Sequence, residues 1–107
     1  TKFNDLVAIA MHGDQSITIH NFKTGTNSTL ADGFIAPTHV VNYADKLLVS
    51  DRGAGALISI DAEGNKEILI KGLDSPEGIA IKDDSIYVFE GNTGEIKKIK
   101  DNIIESK

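Results

Sequence analysis

The chain lacks cysteine and tryptophan and has only two prolines and six aromatic residues among its 107 residues. Without cysteine it has no disulfide framework, no thiolate nucleophile and no Cys-based zinc site. Its first apolar run, LVAIAM at 6–11, has only six residues, too few for a membrane span or the core of a secretion signal. These absences exclude a disulfide-stapled fold and give no indication of a membrane partner.

Basic residues are also few. Eleven Lys and Arg stand against sixteen Asp and Glu, which gives a net charge of −5, and Arg52 is the single arginine. Nucleic acids and anionic membranes bind to basic surfaces, so we expect neither as a partner. Hydrophobic residues at 40% and charged residues at 25% are typical of a folded globular protein.

An internal repeat organises the rest of the sequence. Residues 72–99 align without a gap on residues 33–60, and the alignment pairs Pro76 with Pro37 at a spacing of 39. Turn residues and apolar strand residues therefore recur together. A period near 40 in short strands is typical of β-propeller blades, each of which is a four-stranded antiparallel sheet.

The alternation of apolar and polar residues predicts eleven strands and no helix. For the first blade the predicted strands are 6–11, 16–20 and 27–31. For the second blade they are 38–42, 46–50, 56–61 and 66–71. For the third they are 78–82, 85–90, 95–100 and 103–106. The sequence thus predicts an all-β, partial β-propeller over 1–107, with blades at about 1–32, 33–71 and 72–107. The first blade is expected to lack its inner strand.

Three blades do not close a ring. The runs LLV at 47–49 and IYVF at 86–89 are apolar on both faces, which is typical of strands covered on two sides. An isolated chain would leave one face of its first blade and one face of its third blade uncovered. We expect either that two copies form a homodimer that closes a six-bladed ring, or that the remaining blades of a longer propeller complete it.

The segment LDSPEGIAI at 73–81, followed by IYVFE at 86–90, resembles the repeats of NHL-type β-propellers. It is also similar to the related streptogramin-lyase-like and regucalcin/gluconolactonase-like propellers. The resemblance covers nearly the whole chain, and the Trp-Asp endings of WD-type blades are absent. It implies the propeller fold but not one activity, because a single propeller scaffold carries many unrelated functions.

Two carboxylates, Asp51 and Glu90, stand at the ends of the predicted second strands, 39 residues apart. The ordinary role of a carboxylate ahead of a glycine-containing turn is to accept backbone N–H bonds and fix the turn. The resemblance to regucalcin-like enzymes implies another role, in which Asp51 binds Ca²⁺ or another divalent cation near the central channel.

Two further side chains are candidates for ligand binding. His39 begins a predicted inner strand, where it is a candidate general base or metal ligand, or else a surface histidine bonded to a neighbouring carbonyl. Arg52 follows Asp51, and its guanidinium is a candidate partner for an anionic ligand or an acidic protein; the alternative is a salt bridge to a nearby carboxylate.

Other polar residues are interpreted as structural. The lysines at 97, 98 and 100 are expected on the solvated side of an outer strand, and His12 is expected in a hairpin loop. Ser50 has no nucleophile-elbow context.

Two functions remain open from the sequence. The leading hypothesis is a non-enzymatic scaffold that binds a protein or small ligand at its turn-lined rim and is completed by self-association or by further blades. It needs no cofactor. The alternative is a metal-dependent, gluconolactonase-like lactone hydrolase or a streptogramin-type lyase, in which His39, Asp51 and Glu90 act around a bound divalent cation.

Overall fold

The structure, a computed structural model, describes residues 2–3, 6–11, 13–100 and 103–106. These residues form twelve strands in three four-stranded antiparallel sheets. The part of the chain that the structure describes contains no helix that is long and apolar enough to cross a membrane. The predicted all-β architecture of three antiparallel sheets is confirmed.

Each sheet follows chain order. The first sheet contains β1 (Lys2–Phe3), β2 (Leu6–Met11), β3 (Ser16–Asn21) and β4 (Thr26–Ala31). The second contains β5 (Pro37–Tyr43), β6 (Lys46–Asp51), β7 (Ala56–Ile60) and β8 (Lys66–Lys71). The third contains β9 (Pro76–Lys82), β10 (Ser85–Glu90), β11 (Glu95–Lys100) and β12 (Ile103–Ser106). The eleven predicted strands all occur, with ends within two residues of those expected.

The first sheet has an inner strand that the sequence did not predict. β1 has two residues, which pair with Val7 and Leu6, whereas β5 and β9 have seven residues each. The strand count is therefore twelve rather than eleven. Two residues are too short to display the alternation from which a strand is recognised in a sequence.

The hairpin turn between β9 and β10 has the tight, two-residue form that its Asp-Asp sequence predicts. Asp83 and Asp84 have φ angles of 51° and 65°, and the strands pair directly on either side, Lys82 with Ser85. Both central residues lie in the left-handed region, as a two-residue type I′ turn requires, and aspartate tolerates that region better than most residues. The predicted tight turn is confirmed.

The sheets pack face to face around two apolar clusters. Leu47 and Val49 on β6 belong to the cluster between the first and second sheets, and Leu48 belongs to the cluster between the second and third. All three are 0% exposed. Because successive strand residues point to opposite faces, β6 is apolar on both sides, as a strand in the middle of three layers must be.

Candidate binding rim

The rim is the end of the molecule at which β6 and β10 finish. It consists of the linkers between the sheets, 32–36 and 72–75, and the turns that follow the second strands, 52–55 and 91–94. Linkers and turns of a propeller present side chains from rigid strands, so this end is where the sequence candidates were expected to act.

Asp51 is the last residue of β6, and 1% of its surface is exposed. Its Oδ2 accepts the backbone N–H of Ile35 at 2.8 Å. Its Oδ1 accepts the N–H of Ala36 at 2.7 Å and that of Ala54 at 3.2 Å. Both oxygens of this carboxylate therefore hold the preceding linker and the following turn in place, which is the turn-fixing arrangement considered from the sequence.

Glu90 occupies the matching place at the end of β10 and is 2% exposed. Its Oε2 accepts the backbone N–H of Asp74 at 2.7 Å, and its Oε1 accepts the hydroxyl of Thr93 at 3.4 Å. The ammonium of Lys97 lies 3.7 Å from the same Oε1, and its side chain is 20% exposed. The expectation that Lys97 faces solvent is wrong, because its side of β11 faces the second sheet, where it pairs with Glu90.

The backbone hydrogen bonds of the rim recur with the same 39-residue spacing as the sequence repeat. The N–H of Arg52 donates to the carbonyl of Ala36 at 2.9 Å, and the N–H of Gly91 donates to the carbonyl of Ser75 at 2.8 Å. Donors and acceptors are each 39 residues apart. The sequence repeat is therefore also a repeat of the linker geometry.

His39 lies on an exposed part of β5 beside a β-bulge. Its Nδ1 accepts the backbone N–H of Ile79 on the neighbouring inner strand, at 2.9 Å. The partner is thus an amide rather than the carbonyl considered from the sequence. Because Nδ1 is the acceptor, a neutral ring carries its proton on Nε2, where it is available as a donor.

Arg52 faces a carboxylate that the sequence did not single out. Its Nη1 lies 4.0 Å from Oε2 of Glu77, and the two side chains are 47% and 40% exposed. A Cβ on Gly91 would lie 1.9 Å from the same Oε2, so Glu77 lies directly over this glycine. The rim therefore presents an exposed pair of opposite charges that bridges the second and third sheets.

A hydroxyl pair below the rim was also missed. Ser50, which is fully buried, donates to the carbonyl of Glu77 at 2.6 Å. Thr38 lies 3.0 Å from Ser50 through their hydroxyl oxygens and 3.3 Å from the carbonyl of Pro76. In the repeat, Thr38 aligns with Glu77 and Ser50 aligns with Phe89. This difference between the second and third sheets is the one feature of the sequence that distinguishes the hydroxyl pair. The two hydroxyls join the second sheet to the third.

Asp51 and Glu90 hold equivalent places in successive sheets, each bonded to the linker before its own sheet. The described residues contain no group of three or more His, Asp or Glu side chains that could hold a metal ion. His12, expected in a hairpin loop, lies outside the described residues.

Two solved structures share this arrangement of sheets. The virginiamycin B lyase from Staphylococcus aureus, in its selenomethionine-substituted form, matches with a TM-score of 0.79 and 18% sequence identity, covering 98% of this chain and 38% of that one. A streptogramin B lyase matches with a TM-score of 0.81 and 13% identity, covering 98% of this chain and 37% of that one. No protein-family model and no curated protein sequence matches the chain.

These matches show that the chain has the β-propeller fold, which the sequence resemblance implied. The chain spans somewhat more than a third of the length of either lyase. At identities of 18% and 13% the likeness concerns the fold, and the chemistry has to be argued from this chain's own side chains.

Proposed function

We propose that the chain is a non-enzymatic β-propeller segment that binds a protein or small ligand at its rim and is completed by a second copy or by further blades. The observation that carries this proposal is the state of Asp51. Its oxygens accept three backbone N–H groups, and it is almost fully buried. A carboxylate so engaged stabilises the rim and has little remaining capacity for a cation or a substrate proton.

The exposed groups of the rim support binding. Arg52 and Glu77 offer a guanidinium and a carboxylate side by side, and both belong to regular strands or to the turn directly after one. A guanidinium donates in a planar fork, so it recognises carboxylates with defined geometry. A polar segment of a protein that carries both charges would match this pair.

Rim binding is tested with a displayed library of random linear peptides, selected on the immobilised protein. We expect clones whose affinity falls about tenfold or more in Arg52→Ala, because an exposed pair of charges is lost at their site. The matched control is Lys82→Ala, which removes an exposed cation at the opposite end of β9. Clones that bind equally well to both variants, or no selectable clone at all, would contradict the proposal.

A lyase activity is the second candidate, and the fold shared with the two lyases favours it. It is tested by incubating the purified chain with virginiamycin B and Mg²⁺ and measuring consumption of the compound by chromatography. The proposal of a non-enzymatic segment expects no consumption above a protein-free blank. Turnover that disappears in His39→Ala but persists in His20→Ala would overturn it.

The metal-dependent hydrolase is tested through stability. If Asp51 bound a cation, millimolar Ca²⁺ would raise the melting temperature of the wild-type chain by mass action and would not raise that of Asp51→Asn. The scaffold proposal expects the same melting temperature with Ca²⁺ as with EDTA for both proteins. A Ca²⁺-dependent rise limited to the wild type would establish the metal site.

A further inference from the structure

A groove opens on the side of the second sheet that faces the first sheet, beside the linker 32–36. Its volume is about 350 Å³, and Ile35, Ile58, Ile68 and Lys66 are among its lining residues. We propose that this groove binds a small aliphatic carboxylate, whose chain packs on the isoleucines and whose charge pairs with the ammonium of Lys66. The inference rests on the proposed binding role of the rim and adds a ligand class and a site separate from the exposed charge pair.

The walls of the groove are apolar and come from three segments in the middle of the chain. Ile35 belongs to the linker before β5, and Ile58 and Ile68 are directly paired residues of β7 and β8. Ile58 is only 8% exposed, whereas Ile35 and Ile68 are 58% and 56% exposed. Two aliphatic side chains that remain more than half exposed beside a cavity offer apolar surface that a ligand chain would remove from water.

The third sheet has polar residues at the places that form this groove in the second. Asp74, Asn92 and Lys97 stand 39 residues after Ile35, Gly53 and Ile58. Nδ2 of Asn92 donates to Oδ1 of Asp74 at 2.9 Å. The ammonium of Lys97 lies 3.7 Å from Oε1 of Glu90. The third sheet thus fills the place with bonded polar side chains and the aliphatic stem of a lysine, so the open apolar groove is a departure of the second sheet from the repeat.

The side chain of Ile35 is held in place by a glycine. A Cβ on Gly53 would lie 2.3 Å from Cγ2 of Ile35, so this isoleucine packs directly on the turn that follows β6. The third sheet has Asn92 at the position of Gly53, and its amide bonds the linker instead. The glycine therefore allows an apolar linker residue to form one wall of the groove before any ligand arrives.

The charged end of the groove is the ammonium of Lys66. It lies 4.8 Å from the centroid of the Phe34 ring, and it donates to the carbonyl of Asp32. A Cβ on Gly33 would lie 3.0 Å from Nζ, so the absence of a side chain there leaves room for the ammonium. Because an ammonium has three N–H groups, donors beyond the one bonded to Asp32 are available for a carboxylate.

Asp51 also lines the groove, but its carboxylate is not the group that binds the ligand. Both of its oxygens accept backbone N–H groups, and 1% of its surface is exposed. The side chain of Lys66 is exposed and retains donors. The ligand charge that fits the groove is therefore negative, and an aliphatic ammonium compound is the contrasting ligand.

The ligand class is tested by titrating the isotope-labelled chain with sodium octanoate and following its backbone amide signals by NMR. We expect saturable shifts at Gly33, Ile35 and Ile68, with a dissociation constant on the order of 0.1 to 1 mM for a ligand of about ten non-hydrogen atoms. Octanol, which has the same chain without the charge, should bind about fivefold more weakly, and octylammonium more weakly still. Absence of saturable shifts, or octylammonium binding as tight as that of octanoate, would overturn the proposal.

Lys66→Met tests the charge, because it keeps an apolar stem and removes the ammonium. We expect octanoate to bind about fivefold more weakly and octanol to bind as it does to the wild type. The matched control is Lys71→Met, which alters an exposed lysine at the other end of β8. Equal octanoate affinity of the two variants would overturn the pairing of ligand and lysine.

Ile58→Lys tests the groove by installing the residue that the third sheet has at this place. The lysine stem should fill the groove and its ammonium should reach Asp51, as Lys97 reaches Glu90. Folding therefore has a precedent within the chain and is checked by circular dichroism. We expect no saturable octanoate shifts in this variant, and wild-type affinity would overturn the assignment of the site.

Ile35→Asp tests the same site without a change in the buried core, since Ile35 is exposed and the repeat has Asp74 at its place. We expect octanoate to bind about tenfold more weakly, because the ligand chain loses one apolar wall and meets a like charge. Unchanged octanoate affinity would overturn the proposal.

Arg52→Ala separates this inference from the proposed function. Arg52 does not line the groove, so octanoate should bind to this variant as it does to the wild type, whereas the selected peptides should lose affinity. Octanoate binding without any Arg52-dependent peptide would contradict peptide recognition and support the groove. Loss of octanoate binding in Arg52→Ala would overturn the groove as the site.

Discussion

The carboxylate of Glu77 lies over the α-carbon of Gly91, so close that a Cβ on residue 91 would come within 1.9 Å of Oε2 and 2.7 Å of Cδ. Arg52 occupies the position of Gly91 in the second sheet. Its Nη1 lies 4.0 Å from the same Oε2 of Glu77. The glycine gives Glu77 the space in which it approaches the arginine of the neighbouring sheet.

Gly91→Ala is therefore expected to displace Glu77 and separate the charges. Glu77 is exposed and flexible, so it moves aside easily and the free energy of unfolding should change by less than about 1 kcal/mol. Binding of the selected rim peptides should weaken. The control is Gly13→Ala, where an added Cβ meets nothing within 4 Å. Equal peptide affinity of Gly91→Ala and wild type would contradict the prediction.

Asp51→Asn is expected to lower the free energy of unfolding by about 2 kcal/mol or more, because hydrogen bonds to a buried charged acceptor are strong and are costly to leave unmade. An amide offers one oxygen and one NH₂ group to three backbone N–H donors. Urea unfolding measures the difference. Asp45→Asn, at an exposed hairpin position, is the matched control and should be nearly neutral. If the two variants unfold alike, the linker is not held by this carboxylate.

Gly55 and Gly94 occupy equivalent positions of the repeat, 39 residues apart, and have similar φ angles of 64° and 73°. Substituting each of them therefore separates the cost of backbone strain from the cost of a steric clash. A Cβ at Gly55 would lie 2.6 Å from the carbonyl oxygen of Leu73, whereas a Cβ at Gly94 would meet nothing within 4 Å. Gly94→Ala should cost about 1 kcal/mol from backbone strain alone, and Gly55→Ala should cost clearly more. Equal losses in urea unfolding would show that the close approach of Leu73 is unimportant.

Asp61, in the loop between β7 and β8, is expected to make the stability of the fold depend on pH. Hydrogen bonds from the backbone N–H and side chain of Asn65, joined by one from Glu63 N–H and by the charge of Lys46, lower the pKa of Asp61 below its ordinary value of 3.8, although desolvation opposes them. Because the folded-state pKa is lowered, this stabilisation is present above the unfolded-state pKa and is lost as the pH falls through the folded one.

Asp61→Asn removes that titration. The melting temperature of the wild type should therefore exceed that of Asp61→Asn by more at about pH 6, above the unfolded-state pKa, than in acid, where the excess should shrink as the pH falls through the lowered folded-state pKa. The carboxylate is only partly buried, so the change should be small, and Asp32→Asn serves as an exposed control. A difference between wild type and Asp61→Asn that does not depend on pH would contradict the role of Asn65.

Much of the rim could be anticipated from sequence. Asp51 and Glu90 were recognised as turn carboxylates because they precede glycine-containing turns at the repeat spacing. Glu77 was not recognised, because its importance depends on the missing Cβ of a residue on another strand. Lys97 faces the second sheet rather than solvent, and the run EIKKIK at 95–100 gives no local sign of the sheet that covers this lysine.

The sequence by itself determined the number of sheets, the order of strands and most strand ends, because alternation, turn residues and a 39-residue repeat are local properties of the chain. Only the tertiary structure decided which atoms the buried carboxylates bind, which hydroxyls join neighbouring sheets and which apolar side chains remain uncovered. These features depend on contacts between residues far apart in the chain, and those contacts form only when one sheet packs on the next.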